Sequence, residues 1–208
     1  MASNAQWCLH EAQWLEQFSH WVNLGSPQDL LNAHVFFDLR ALAGDFRMAD
    51  RLRDFIVERV PTHQRFVKQL AATVLSPVPP INWLGGLETT QIDGKPTIDL
   101  KLQGTAVIVA VARVYALAQG LRTCGTAERL EEVGPKLGVK LAEYSSWVTG
   151  FEFLQLLRLQ RQLESSKDSD HPNRLDVSVL SQIDKKILKI SLSQARSLQQ
   201  RLALDYGR

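Results

Sequence analysis

Between Thr105 and Ala118 the chain reads TAVIVAVARVYALA, and only Thr105 and Arg113 break the apolar run. A helix of that composition has no face fit for water, so other elements must surround it. The run falls short of the roughly 20 apolar residues that a bilayer span needs, and an arginine lies well inside it. It therefore predicts the central helix of a soluble bundle rather than a membrane span. Arg113 sets a second condition. An unpaired buried charge costs roughly 3–5 kcal/mol, so this side chain must be paired or must face a polar cleft. Asp99 and Lys101 sit where the chain enters the helix, and Asp99 and the acidic residues embedded in other helices are the expected partners of Arg113.

The rest of the chain supplies the surrounding elements. Apolar spacing predicts a first helix over Asn4–Leu24, stopped by Gly25, and Ser26-Pro27 as N-cap and first residue of a second helix that closes at Gly44. Asp45 then caps a third helix over Phe46–Val60, and Thr62 a fourth that runs to Leu75. Residues 76–95 form the one long irregular stretch, in which Asp93-Gly94 marks the turn of a short hairpin. After the central helix, Thr126 is expected to cap a short helix. A long helix follows over Val139–Ser165, then a polar loop, SKDSDHPNR, and a last helix from Ser181 to Asp205 with capping-box spacing between Ser181 and Asp184. The expected fold is all-α: one helical bundle of about seven helices over residues 1–208, with one short β-hairpin before the central helix.

Composition narrows the function classes. Lys and Arg total 24 against 22 Asp and Glu, so bulk charge argues for neither a nucleic-acid nor a membrane partner. The N-terminus lacks the basic and apolar regions of a signal peptide, and Cys8 and Cys124 form no metal-binding or redox pattern, which fits a reducing, cytoplasmic setting. No HExxH, GxSxG, Walker or GxGxxG motif occurs, and the five histidines show no metal-ligand spacing. The chain therefore carries no catalytic motif and no metal site of its own. What remains is a set of charged residues within apolar helical text: Asp38, Arg40, Asp99, Lys101, Arg113, Arg129 and Arg158, the last on a polar face shared with Glu152, Gln155 and Gln162. Two readings follow. The set is either a salt-bridge network that fixes helix register in a structural or interaction bundle, or a convergence of guanidiniums on an anionic ligand such as a nucleotide phosphate. An independent enzyme or a nucleic-acid binder ranks below both.

Five motifs in a fixed order carry a resemblance: FFDLRALAGD from Phe36, IDLKLQG from Ile98, ARVYALAQG from Ala112, TAERL from Thr126 and FEFLQLLRLQRQ from Phe151. Together the chain resembles the putative nucleotidyltransferase substrate-binding domain, found C-terminally in bacterial signal-transduction proteins. There it follows a nucleotidyltransferase domain similar to that of the PII-protein uridylyltransferases, often with cyclic-nucleotide-binding and CBS modules. The resemblance implies that this chain is a C-terminal piece of such a protein. It further implies that the upstream domain supplies Mg²⁺ and nucleoside-triphosphate chemistry, because the Gly-Ser turn and DxD aspartates of that superfamily are missing here: Gly85-Gly86 is followed by no DxD. It places Asp38, Arg40, Asp99, Lys101, Arg113, Arg129 and Arg158 at the family's polar motif positions. Lys101 and Arg113 are the first expected phosphate contacts, with Asp99 orienting them.

Overall fold

The computed structural model of the chain describes residues 4–164 and 171–207. The apolar run is its hub: helix α5 (Ala106–Ala118) touches three of the helices around it. The helices in chain order are α1 (Glu11–Leu24), α2 (Pro27–Phe36), α3 (Phe46–Arg59), α4 (Gln64–Thr73), α5, α6 (Thr126–Lys136), α7 (Leu141–Glu164) and α8 (Gln182–Tyr206). Helices α4, α6 and α8 pack against α5, α7 lies across α6 and α8, and α1, α2 and α3 form a layer reached through α4. Val107, Ile108, Val111, Val114 and Leu117 are all buried on α5. At roughly 1.5–3 kcal/mol for each fully buried aliphatic side chain, they outweigh the cost of carrying one arginine on the same helix. Lys101–Ala118 is long and apolar enough to pass for a membrane span, yet 61% of it is buried inside the protein. The all-α expectation holds.

The hairpin also forms. Strand β1 (Thr90–Ile92) pairs antiparallel with β2 (Lys95–Asp99) across Asp93-Gly94. Both turn residues have positive φ, 53° and 72°, as a two-residue turn between twisted strands requires. A third strand, β3 (Arg174–Asp176), completes the sheet on the other edge of β2, with Ile98 opposite Leu175 and Asp99 opposite Arg174. Nothing in a three-residue segment announces a strand; it pairs because Ile98 and Leu175 bury together against the bundle. Of the loop expected between α7 and this strand, residues 166–170 lie outside the described residues, as does Ser165.

Several boundaries differ from expectation for local physical reasons. Asn4 caps only a 3₁₀ turn over Ala5–Trp7, and α1 starts afresh at a capping box between His10 and Gln13. The break folds Trp7 back onto Trp14, Trp21 and Phe36, with ring centroids 5.9, 6.2 and 4.5 Å away. Helix α2 starts at Ser26-Pro27 as read but stops at Phe36, eight residues before Gly44. Beyond it the chain is held by long-range contacts instead: Asp38 engages α5 and α6, and Arg53 donates to the Leu39 carbonyl. Thr62 does not cap α4, because its hydroxyl donates to the Arg59 carbonyl and His63 takes the N-cap position. Thr126 is the first residue of α6, with Gly125 before it as the cap. Residues Lys101–Thr105 form a π turn leading into α5, marked by the Thr105 amide donating to the Leu100 carbonyl.

Candidate functional site

Arg113 is paired within the fold. Its partner is Asp38, 75 residues earlier: Arg113 Nε donates to Asp38 Oδ2 at 2.7 Å, and Arg113 Nη2 lies 2.6 Å from the same oxygen. The expected pairing with Asp99 does not occur. Asp99 sits at the other end of the helix, where its carboxylate accepts the backbone amides of Lys101 and Leu102 at 2.9 and 2.8 Å and so caps the π turn. Twelve residues at about 1.5 Å each separate Lys101 from Arg113 by roughly 18 Å. Lys101 is exposed there, at the opposite end of α5 from Arg113, and Asp99 does not orient Arg113, which is turned to Asp38.

A second guanidinium joins the first. Arg129 on α6 reaches Asp38 through Nη1, at 3.3 Å from Oδ2, and through Nη2 to Oδ1, while its Nε donates to the Thr123 carbonyl at 2.7 Å. Arg129 is buried, with 3% of its surface exposed, whereas the side chains of Arg113 and Asp38 keep 20% and 21%. Burial on its own would raise the Asp38 carboxyl. The hydrogen bonds and charges of Arg129 and Arg113 overcome it and hold the group below the ordinary carboxylate range. His34, one turn before Asp38 on α2, is pushed down to about 4, first by burial and then by the charge of Arg113. It is therefore neutral at pH 7, with Nε2 2.7 Å from the Thr73 hydroxyl. Two arginines, one carboxylate and a neutral histidine leave one excess positive charge in a largely buried cluster.

The other expected residues lie elsewhere. Arg158 on α7 donates to the Asn173 side-chain oxygen at 2.7 Å and contacts Gln155, and Gln162 shares the same Asn173 oxygen at 3.0 Å. Asn173 in turn accepts the Leu100 amide, so Arg158 braces the entry to β3 and the π turn rather than facing the Asp38 cluster. Arg40, two residues past Asp38, is exposed and lines a cavity between α1 and α3. Residue reading thus missed His34, the Thr123 carbonyl and Asn173. The four-residue spacing of His34 and Asp38 would have flagged the first; the other two carry no local signal. Among the described residues no three His, Cys, Asp or Glu side chains gather as a metal site.

The two arginines that share Asp38 lie in the part of the chain that a known family covers. A family model described as "putative nucleotidyltransferase substrate binding domain" matches residues 64–206. The chain belongs to that family. No curated protein and no solved structure matches it. Of the charged set, Asp99, Lys101, Arg113, Arg129 and Arg158 of this substrate-binding domain fall within the matched stretch, while Asp38 and Arg40 precede it.

Proposed function

We propose that this chain folds as one domain over residues 1–208 and serves as the non-catalytic, substrate-binding part of a bacterial nucleotidyltransferase-type signal-transduction protein in the cytoplasm. It packs against an upstream nucleotidyltransferase domain and completes one wall of its cleft. Mg²⁺ and nucleoside-triphosphate chemistry belong to that catalytic partner, and CBS or cyclic-nucleotide-binding modules are further partners in the same assembly. The observation that supports this reading best is the charge balance at Asp38. Two guanidiniums from the family-matched stretch share one carboxylate, leaving a positive excess where Arg113 and Asp38 still meet solvent. Guanidinium forks suit phosphate oxygens, and Arg113 is the better candidate to receive an anion, because its Nη1 makes no hydrogen bond among the described residues while Arg129 is spent on Asp38 and Thr123. Lys101, at the far end of α5, would serve a different part of the substrate or the partner domain.

Titrating the chain calorimetrically with ATP and with UTP tests the reading. Arg113→Met, verified as folded, is expected to weaken nucleotide binding roughly tenfold or more, as loss of one charge-assisted contact implies. Unchanged affinity overturns it. One observation favours a second reading, a structural bundle that binds no nucleotide: the guanidinium of Arg129 is buried with all its nitrogens committed to protein acceptors. On that reading Arg113→Leu lowers thermal stability and leaves binding assays unmoved.

A further inference from the structure

The segment that follows α2 does more than close the arginine pair. Asp38 is fixed by α5 and α6, and the Leu39 carbonyl by Arg53, so residue 40 is presented from a chain held at two adjacent points. Arg40 itself makes no hydrogen bond or ion pair among the described residues. It stands at the edge of an open cavity of about 250 Å³ between α1, the segment after α2, and α3. One wall is aromatic, with Trp14 and Phe36 at 5.1 Å between ring centroids; the opposite wall is aliphatic, from Met48, Ala49 and Leu52. The other charged residue of the lining, Asp45, is already neutralised, because it caps α3 through the Arg47 amide at 3.0 Å and pairs with the Arg47 guanidinium at 3.2 Å. Arg40 is thus the charged residue of this lining without a protein partner among the described residues.

The backbone beside it is also uncommitted. Residues 40–44 make no backbone–backbone hydrogen bond among the described residues, although they line the cavity through Arg40, Ala41 and Ala43. A pocket with aromatic and aliphatic walls, a free main-chain edge and a single free cation selects a flat apolar body with one negative group. Its volume lies below the roughly 300–1,000 Å³ of sites that enclose a whole drug-sized molecule, so it takes a ring and leaves the anionic end outside, within reach of a flexible exposed arginine. The cavity precedes the family-matched stretch entirely and shares no lining residue with the Asp38 cluster.

We propose that this cavity is a binding site for a planar ring carrying an anionic group, with the ring between the aromatic wall and α3 and the anion on Arg40. A nucleoside monophosphate and a free aromatic carboxylate share that chemistry. Amide NMR titrations of the ¹⁵N-labelled full chain with AMP, with benzoate and with inorganic phosphate test the assignment and separate the sources. Saturable shifts at Phe36, Met48 and Ala49 with AMP or benzoate, weakened roughly tenfold in Arg40→Gln, are the expected result. Arg40 is exposed and outside the core, so that variant keeps its fold; Ala49→Leu, which fills the cavity, should abolish the same shifts. The inference is overturned if no probe shifts these residues, if phosphate alone binds as well as AMP, or if Arg40→Gln leaves the affinity unchanged. AMP binding that depends on Arg113 and not on Arg40 overturns this site while upholding the nucleotide reading above. Benzoate binding here without any nucleotide binding does the reverse.

Discussion

Replacing Asp38 by asparagine removes a charge while preserving shape, and it puts the Asp38 cluster to the sharpest test. The two guanidiniums would then face each other with no counter-ion, one with 4% of its side chain exposed and the other with 20%. Removing one partner of a buried ion pair costs about 3–5 kcal/mol. Residual exposure of Asp38, and the acceptor that an amide still offers, place the expected cost at the lower end, about 3 kcal/mol. For a protein of this size a melting midpoint drops about 2–4 °C per kcal/mol, so the variant should melt about 6–12 °C below the wild type. Urea denaturation against pH adds a signature. Because the folded-state carboxyl is held below its unfolded value, its contribution is complete above about pH 4 and is lost as pH falls through the folded value. The stability gap between wild type and Asp38→Asn should therefore be flat near neutrality and close in acid. A gap under about 1 kcal/mol at pH 7, or one that persists unchanged into strong acid, would refute the claim that Asp38 locks α5 and α6.

Three further expectations follow from the packing. At Gly134 on α6 a Cβ would sit 2.5 Å from the Tyr144 ring, so Gly134→Ala should destabilise by about 1–3 kcal/mol despite the better helix propensity of alanine, whereas Gly150→Ala, whose Cβ would meet Ser191 at 3.4 Å, should be tolerated in the same thermal melts. His34 should titrate near pH 4 when its ring protons are followed by NMR; since the unfolded chain binds that proton at about pH 6.5, stability should fall as pH drops through this window, and a His34 resonance moving near neutrality would contradict the burial argument. The Tyr115 hydroxyl donates to Asp205 at 2.7 Å and its ionisation is pushed upward, first by burial and then by that carboxylate. Tyr115→Phe should cost about 1 kcal/mol in urea melts, and the wild type should lose stability as pH rises past about 10, where the unfolded phenol gives up its proton first.

How much of this the residues announced depends on the range of the interaction involved. The hub helix was legible because fourteen consecutive positions admit one environment, and the Asp93-Gly94 turn because its residues tolerate positive φ. The end of α2 was not. The run LRALA has high helix propensity, and what overrides it is an ion pair to Arg113, 75 residues on, that pulls Asp38 out of register with a helix. The same distance explains why the partner of Arg113 stayed open between Asp99 and carboxylates on other helices. Asp99 was the nearest carboxylate along the chain, but the π turn needed it for capping, and the folded neighbour came from another layer. Residue type identified every charged member of the Asp38 cluster but neither His34 nor the Thr123 carbonyl; only the fold could divide the charged set among the ends of α5, the α7 brace and the cavity beside Arg40.

The origin of Asp38 bears on where this protein can be cut. The family model's match begins at residue 64, yet the carboxylate that holds Arg113 and Arg129 lies 26 positions before that border. A piece trimmed to the recognised stretch would carry two inward-facing cations with nothing opposite them, and would also strip the first three helices from α4. Such a fragment should behave as an incomplete protein, insoluble or loosely packed, however well its sequence is recognised. Here the stretch that the family model matches is shorter than the length that the packing of its charges requires.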